Sequence, residues 1–364
     1  MIKKSFAIYT MLVFCLLAVS ISAQEKDVLM QVITEEMNRS FDILKKQEEF
    51  PPYFMSYRIT DTTSANITAV NGALVDNNVG RNRLLDINLR VGNYEFDNTR
   101  LYNRPGFGSI ALPIEDNADA LRNEIWQNMD SIYNSAVEQL RRAKQNKETS
   151  LPSEFKTADF SKESTVKSID KKVSLNIDRD LWKNKIRSYS KILKKYPAIF
   201  FSNVNLRANG VNNYFINTEG ASIRHGTTSV RLSIFAATKA KDGMNLFKFE
   251  SFESPLINGL PDDKKIIATI EKAAKQLNDL RKAPLLEPYT GPAILSGRAS
   301  GVFFHEIFGH RIEGHRQKSE FEGNTFTAKL EQNVLPSIFS VFDDPTLKRY
   351  GKKDLSGHLS LIHI

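Results

Sequence analysis

The chain has 364 residues, with 50 Lys and Arg against 42 Asp and Glu and a formal net charge of +8. Hydrophobic residues at 41% and charged residues at 25%, with 18 Gly and 13 Pro scattered without period, exclude a collagen-like, wholly disordered or polytopic membrane protein. At roughly 150 residues per domain, the length accommodates about two domains with sizeable cores.

At the N-terminus, Lys3 and Lys4 precede an apolar run from Phe6 to Val19 that ends in Ser20-Ile21-Ser22-Ala23. This order predicts a cleavable signal peptide over 1–23 and export to the periplasm or the extracellular space. The run is shorter than the roughly 20 residues of a membrane span. No stable membrane anchor is therefore expected, an uncleaved anchor being the alternative. Cys15 follows the bulky Phe14 inside the run, whereas a lipid-modified cysteine should follow a small residue at the cleavage point. It is also the one cysteine of the chain, so the mature protein has no disulfide and no thiolate metal ligand. Loss of the leader removes two lysines and no acid, taking the charge from +8 to +6. The surplus is spread over mixed runs such as Lys183-Asn184-Lys185 without aromatic interleaving, and no nucleic-acid partner is expected.

From Glu25 to Glu48, Leu29, Ile33, Met37, Phe41 and Leu44 recur at helical spacing, and Pro51-Pro52 ends the pattern. Period-two alternation follows over Phe54 to Thr60, Ile67 to Val70 and Leu85 to Val91, an antiparallel meander with one wet face. Asn71-Gly72 and Asn78-Gly80 supply turn chemistry, although Asn71-Gly72 fits a bulge within one long strand equally well. A second helix is predicted over Asn117 to Lys144. Residues 145–178 are rich in Lys, Ser, Glu and Asp and read as an exposed charged connection. A third helix, Asp180 to Lys195, precedes strands over Phe200 to Leu206, Tyr214 to Ile216, Val230 to Ala236 and Leu246 to Phe252. A helix-plus-meander block thus occurs twice. Asp262 caps a fourth helix running to Leu280, and Lys282 to Pro288 marks a boundary. The fold class is α+β: a 24–285 N-terminal domain of antiparallel meanders and long helices, then a second domain from 286 to 364.

Three of the six histidines, His305, His310 and His315, fall within eleven residues. Two imidazoles with Glu306 beside the first are the inventory of a zinc hydrolase, in which neutral nitrogens bind metal and a carboxylate takes a proton from water. The spacing is His305-Glu306-x-x-x-His310, one residue longer than the common form. On a regular helix the two rings would diverge by about 140°. Either a π-bulge or a break near Gly309 must bring them together. Phe303, Phe304, Ile307 and Phe308 are expected to bury most of this segment, and a core helix with incidental histidines is the competing reading.

His305-Glu306-x-x-x-His310, with Gly309 before the second histidine and Glu313-Gly314 after it, resembles the signature of the TldD/PmbA metallopeptidases, and Gly309 to Arg316 resembles their exported branch. The similarity extends to Gly291-Pro292-Ala293, to Val341 to Leu347 and, more weakly, to Asn217-Thr218-Glu219-Gly220. It spans roughly 200 to 352. The resemblance implies a zinc-dependent peptidase acting on peptide-like or unfolded protein substrates, with an N-terminal α/β domain, a β-rich catalytic domain whose start carries the His-Glu-x-x-x-His helix, and a homo- or heterodimer with a family member. It makes His305 and His310 zinc ligands, Glu306 the general base and Glu313 a residue supporting the ligands from behind. The family's third ligand is a distant cysteine, which the mature chain lacks. The third ligand here is unknown, Glu313, His315, Asp343, Asp344 and His358 being conceivable substitutes. The 286–364 region is accordingly read as a partial catalytic domain with a doubtful tail at 357–364, and the chain as written is expected to bind zinc weakly and to be inactive. A catalytically silent partner subunit, or an exported binding or scaffold module, is the alternative function.

Overall fold

The structure is a computed structural model that describes residues 27–101, 109–149 and 158–313, and beyond them 325, 326, 329, 331–342, 344, 346, 347, 349–351, 353 and 354. The signal peptide expected at 1–23 and the tail at 357–364 lie outside the described residues. Among the described residues no helix is long and apolar enough to cross a membrane.

Helix α1 (Val28–Leu44) begins where Asp27 accepts a hydrogen bond from the Met30 amide at 3.2 Å, and it buries the stripe Leu29, Ile33, Met37 and Leu44. Strands β1 (Pro52–Val70) and β2 (Ala73–Val91) form one hairpin in place of the expected short meander. At its tip Asn71 (φ 51°) and Gly72 (φ 86°) are both left-handed, the two-residue turn whose twist suits a hairpin, which rules out the bulge. Asn78-Gly80, read as turn chemistry, instead lies within β2, where Asn78 faces Asn66 and Gly80 faces Ser64. The strand continues there because both flanks keep pairing.

After the two-residue β3 (Ile110–Ala111) comes α2 (Ala118–Thr149), whose Leu121, Ile125, Met129, Ile132 and Leu140 are buried. Short β4 (Lys167–Ile169), α3 (Arg179–Leu193), β5 (Ile199–Asn217), β6 (Ser222–Lys239), β7 (Asn245–Ser254) and α4 (Asp263–Lys282) follow. Strand β5 runs unbroken through Ala208 to Asn213, where two separate strands were expected. The sheet order is β3-β2-β1-β5-β6, with β4 (parallel) and β7 (antiparallel) both on the far side of β6. The two helix-plus-meander blocks are therefore one continuous sheet, joined by β1 against β5.

Helices α1 to α4 lie on one face of the sheet. At one end α1 and α2 cover Tyr57, Ile59, Leu85, Ile87, Leu89 and Ile216, and at the other α3 and α4 cover Ile67, Val204, Leu206, Leu232 and Ile234. Between these cores the face is polar. Asp61 receives both Arg81 and Arg83 there, at 2.7 and 2.8 Å. Burial draws the Asp61 carboxyl upward, but the hydrogen bonds and charges of the two arginines outweigh it and hold the group below its ordinary value.

The 145–178 segment departs from the exposed connection expected of it. Residues 145–149 belong to α2, and 150–157 lie outside the described residues. Asp159 and Phe160 are buried, Asp159 accepting from the Asp97 amide at 3.0 Å and from Arg100 at 2.9 Å. The Arg90 guanidinium stands 3.9 Å over the Phe160 ring while pairing with Asp97 at 2.6 Å. Most of 161–172 is exposed, and then Val173 bonds Asn212 through both backbone groups, at 2.8 and 3.0 Å. The charged composition masks these anchors because only a few side chains carry them.

Gly92, at φ +111°, opens the loop that presents Asp97 to Arg90, and a Cβ there would stand 2.5 Å from the Phe96 carbonyl oxygen. We expect Gly92→Ala to destabilise the protein by about 2–4 kcal/mol, from strain and loss of the buried pair. Gly80→Ala, placed in a regular strand, should stay within about 1 kcal/mol of the parent. Thermal and urea unfolding of the two variants measures both, and equal losses would show that the loop does not carry this strain.

Candidate metal centre

After α4, residues 283–297 run without regular structure and largely exposed, Leu286 at 90% and Ile294 at 99%. Helix α5 (Arg298–Ile307) then starts behind Gly297, which is left-handed at φ 55°. Its last turn carries His305 and Glu306. The helix ends at Phe308, whose φ of −125° and ψ of −52° leave helical space, and a 3-10 turn over Gly309–Ile312 carries His310. Of the two ways to converge the rings, the backbone uses the break and no π-bulge.

The break sets the His305 and His310 ring centroids 4.4 Å apart at 67°. Metal-binding atoms of His305, Glu306 and His310 all lie within 4.8 Å of one another. His310 Nε2 is 4.0 Å from Glu306 Oε2, and its Nδ1 is 2.8 Å from Glu313 Oε1. An ionised carboxylate only accepts, so it draws the ring proton to Nδ1 and leaves the Nε2 lone pair on the side of Glu306. Glu313 therefore orients His310 from behind, as carboxylates do for metal-binding imidazoles.

The expected burial of this segment is not seen. Phe308 is buried, touching Phe304 and Phe326 through ring contacts at 6.4 and 5.9 Å, but Phe303 and Ile307 are 48% and 38% exposed. Few described residues pack on this helix, and the histidines are open or half open to solvent, unlike those of a core helix. Of the other candidate ligands, Asp344 accepts from the Thr346 hydroxyl at 2.6 Å and amide at 2.9 Å, bonds that hold its carboxyl below its usual range. His315, Asp343 and His358 lie outside the described residues. Beyond 313 the described strands are the two-residue β8 (Arg349–Tyr350) and β9 (Lys353–Asp354).

The donor set fits a borderline-soft divalent metal such as zinc, since two neutral imidazole nitrogens are its ordinary ligands. Tetrahedral zinc holds ligand nitrogens roughly 3.4 Å apart.

Residues 288–354 match the PmbA/TldA metallopeptidase C-terminal domain. This segment of the chain thus resembles a PmbA/TldA metallopeptidase C-terminal domain. Solved structures similar to it include a protein described as a modulator of a DNA gyrase from Thermotoga maritima MSB8 (11% identical, TM-score 0.40, covering 70% of this chain and 50% of that one). Another of the same description, from Bacteroides thetaiotaomicron VPI-5482, is 12% identical with TM-score 0.40 and the same coverage. TldE from Thermococcus kodakarensis is 9% identical with TM-score 0.36, covering 68% of this chain and 47% of that one. The chain spans about half the length of these solved relatives. None of the curated proteins matches it.

Two features of the chain escaped the sequence. Arg298, in the first turn of α5, reaches Glu250 of β7 at 3.4 Å, a link between distant segments that no local pattern announces. The Asn217-Thr218-Glu219-Gly220 stretch proves to be the tight β5–β6 connection. Asn217 caps the Glu219 and Ala221 amides there, and the Glu219 carboxylate accepts the Tyr94 hydroxyl. Burial, then the bond to Glu219, push that phenol up to about 12.

Glu313→Ala should weaken divalent-metal binding by about 10–100-fold while the fold is unchanged. Competition against a chromogenic chelator measures this. Unchanged affinity would remove Glu313 from the ring-orienting role.

Proposed function

We propose that this chain carries the catalytic helix of an exported zinc-dependent peptidase that hydrolyses unfolded or peptide-like substrates outside the cytoplasm. The observation that supports it most is the convergence of His305, Glu306 and His310, whose metal-binding atoms fall within 4.8 Å at a helix break on an open surface. The match of residues 288–354 to the PmbA/TldA metallopeptidase C-terminal domain supports a peptidase-related role. Lys3-Lys4 and the apolar run behind them support export.

In this reading His305 and His310 hold zinc, and a third protein ligand comes from outside the described cluster. Bound zinc would polarise the scissile carbonyl and make water a better nucleophile at neutral pH. Glu313 keeps the His310 proton on Nδ1, so that Nε2 remains a ligand. Glu306 accepts the proton of the attacking water on a carboxylate oxygen and returns it to the leaving amine. Its exposure, and its place beside both rings, leave that oxygen open to water and to an extended backbone. A homo- or heterodimer with a family member belongs to the same proposal.

In the active protein that carries this chain, Glu306→Gln should retain zinc and lose about 10²–10⁴-fold in peptide hydrolysis, because an amide oxygen is not a base. His305→Ala and His310→Ala should each lose zinc, and a strong chelator should silence the parent until zinc is restored. Hydrolysis of an unstructured fluorogenic peptide, with zinc per chain measured alongside, checks all four. Full activity in Glu306→Gln would remove the residue from the mechanism.

A further inference from the structure

Helices α3 and α4 finish at the same end of the sheet, where β5 begins and β6 ends. A cavity of about 250 Å³ opens there, lined by Lys195 and Tyr196 after α3, Thr238 of β6, and Asn278 and Arg281 of α4. Its walls are held in place. The Thr238 hydroxyl donates to the Ala198 carbonyl, and the Ile199 amide donates to the Tyr196 carbonyl at 2.9 Å. Arg281 Nε donates to the Lys239 carbonyl at 3.2 Å, which fixes the guanidinium by one nitrogen and leaves its two terminal nitrogens to serve another acceptor. Among the described residues no carboxylate pairs with Lys195 or Arg281, and the Tyr196 hydroxyl and Asn278 carboxamide, both on partly buried residues, have no hydrogen-bond partner. An ammonium, a guanidinium, a hydroxyl and an amide therefore line one small cavity with bonds left to make.

We propose that this cavity binds a phosphate group, free or as an ester. The surrounding charge decides the sign of the ligand. Within three residues of the lining positions stand Lys194, Lys239, Lys241, Lys275 and Lys282 and a single acid, Asp279, which Lys275 holds at 2.9 Å. Asp242, one residue further along, accepts the Met244 amide at 3.0 Å. Basic residues at helix ends commonly serve only to balance the helix dipole. Here the C-termini of α3 and α4 contribute about half a negative charge each, far less than the cations gathered around them. The donor set then favours phosphate over carboxylate. A carboxylate offers two oxygens in one plane, whereas a phosphate presents three or four in a tetrahedron and carries nearly two charges at neutral pH. The Arg281 fork suits two of those oxygens, the Lys195 ammonium acts as a mobile point charge, and Tyr196 and Asn278 donate to the rest. Pro197 and Ile199, which also line the cavity, offer an apolar wall to the carbon side of an ester. This site shares no residue with the metal centre and rests on none of its chemistry.

Isothermal titration calorimetry of the whole chain with inorganic phosphate, at constant ionic strength and with a chelator present to silence any metal, tests it. The parent should bind phosphate and should bind acetate at least tenfold more weakly. Lys195→Gln and Arg281→Gln should each lower phosphate affinity on the order of 10–100-fold, the worth of one charged hydrogen bond, whereas Lys272→Gln, an exposed charge on α4 away from the cavity, should not. Should Arg281→Gln fail to fold by circular dichroism, the exposed Lys195 decides. Co-sedimentation with phosphatidylglycerol vesicles separates the two sources of the group. Pelleting that inorganic phosphate reverses and Lys195→Gln lowers assigns a lipid headgroup, and pelleting indifferent to both, or none, beside calorimetric binding assigns a soluble phosphate; either supports the cavity. No binding at millimolar phosphate, acetate bound as tightly, or an equal loss in Lys272→Gln would each overturn the proposal.

Discussion

Antiparallel pairing of β1 with β5, from Ser56 opposite Asn217 to Ala69 opposite Val204, joins two otherwise separate hairpins into one sheet. Strands of this length run roughly 60 Å, more than one pair of helices covers. The inner face must therefore be buried twice, by α1 and α2 at one end and by α3 and α4 at the other. What lies between is not a third apolar core, because none of α1 to α4 covers it. The Asp61–Arg81–Arg83 group and the 173–175 passage fill it, with the Asn212 side chain taking both backbone groups of Val173. Gly226 makes room for that crossing, since a Cβ there would stand 2.7 Å from Val173 Cγ1.

Local patterns were legible wherever a single stripe or alternation decided burial. The α1 stripe at Leu29, Ile33 and Met37, the cap at Asp262 and the alternation over Leu85 to Val91 all appear in the structure where the spacing puts them. What the spacing could not reveal is continuity across polar residues. Asn78 and Gly80 look like a turn in sequence and are strand in the fold because their backbones pair laterally, and Asn212 and Asn213, in the gap between two separately expected strands, also pair while their side chains bond Val173 and His225. Phe160 illustrates a different limit. One aromatic in a charged stretch gives no period, yet it is the ring that Arg90 covers.

At the candidate centre, the spacing of five residues between His305 and His310 forced a departure from regular helix, and only the choice between bulge and break stayed open. Phe308 settles it. Its backbone leaves the helix while its ring is buried against Phe304 and Phe326. The buried aromatic fixes the direction of the exit, and the 3-10 turn that follows swings His310 back to His305. The orientation of His310 by Glu313 then comes from the same turn, three residues on. Burial of Phe303 and Ile307 was inferred from their apolarity, but apolar residues are buried only where a partner surface exists.

Anomalous scattering at the zinc edge, on crystals of the protein loaded with zinc, tests the central claim most directly. The account predicts one strong peak about 2.1 Å from a ring nitrogen of both His305 and His310, with Glu306 beside it. A peak held by other residues, or none near the helix break, would contradict it.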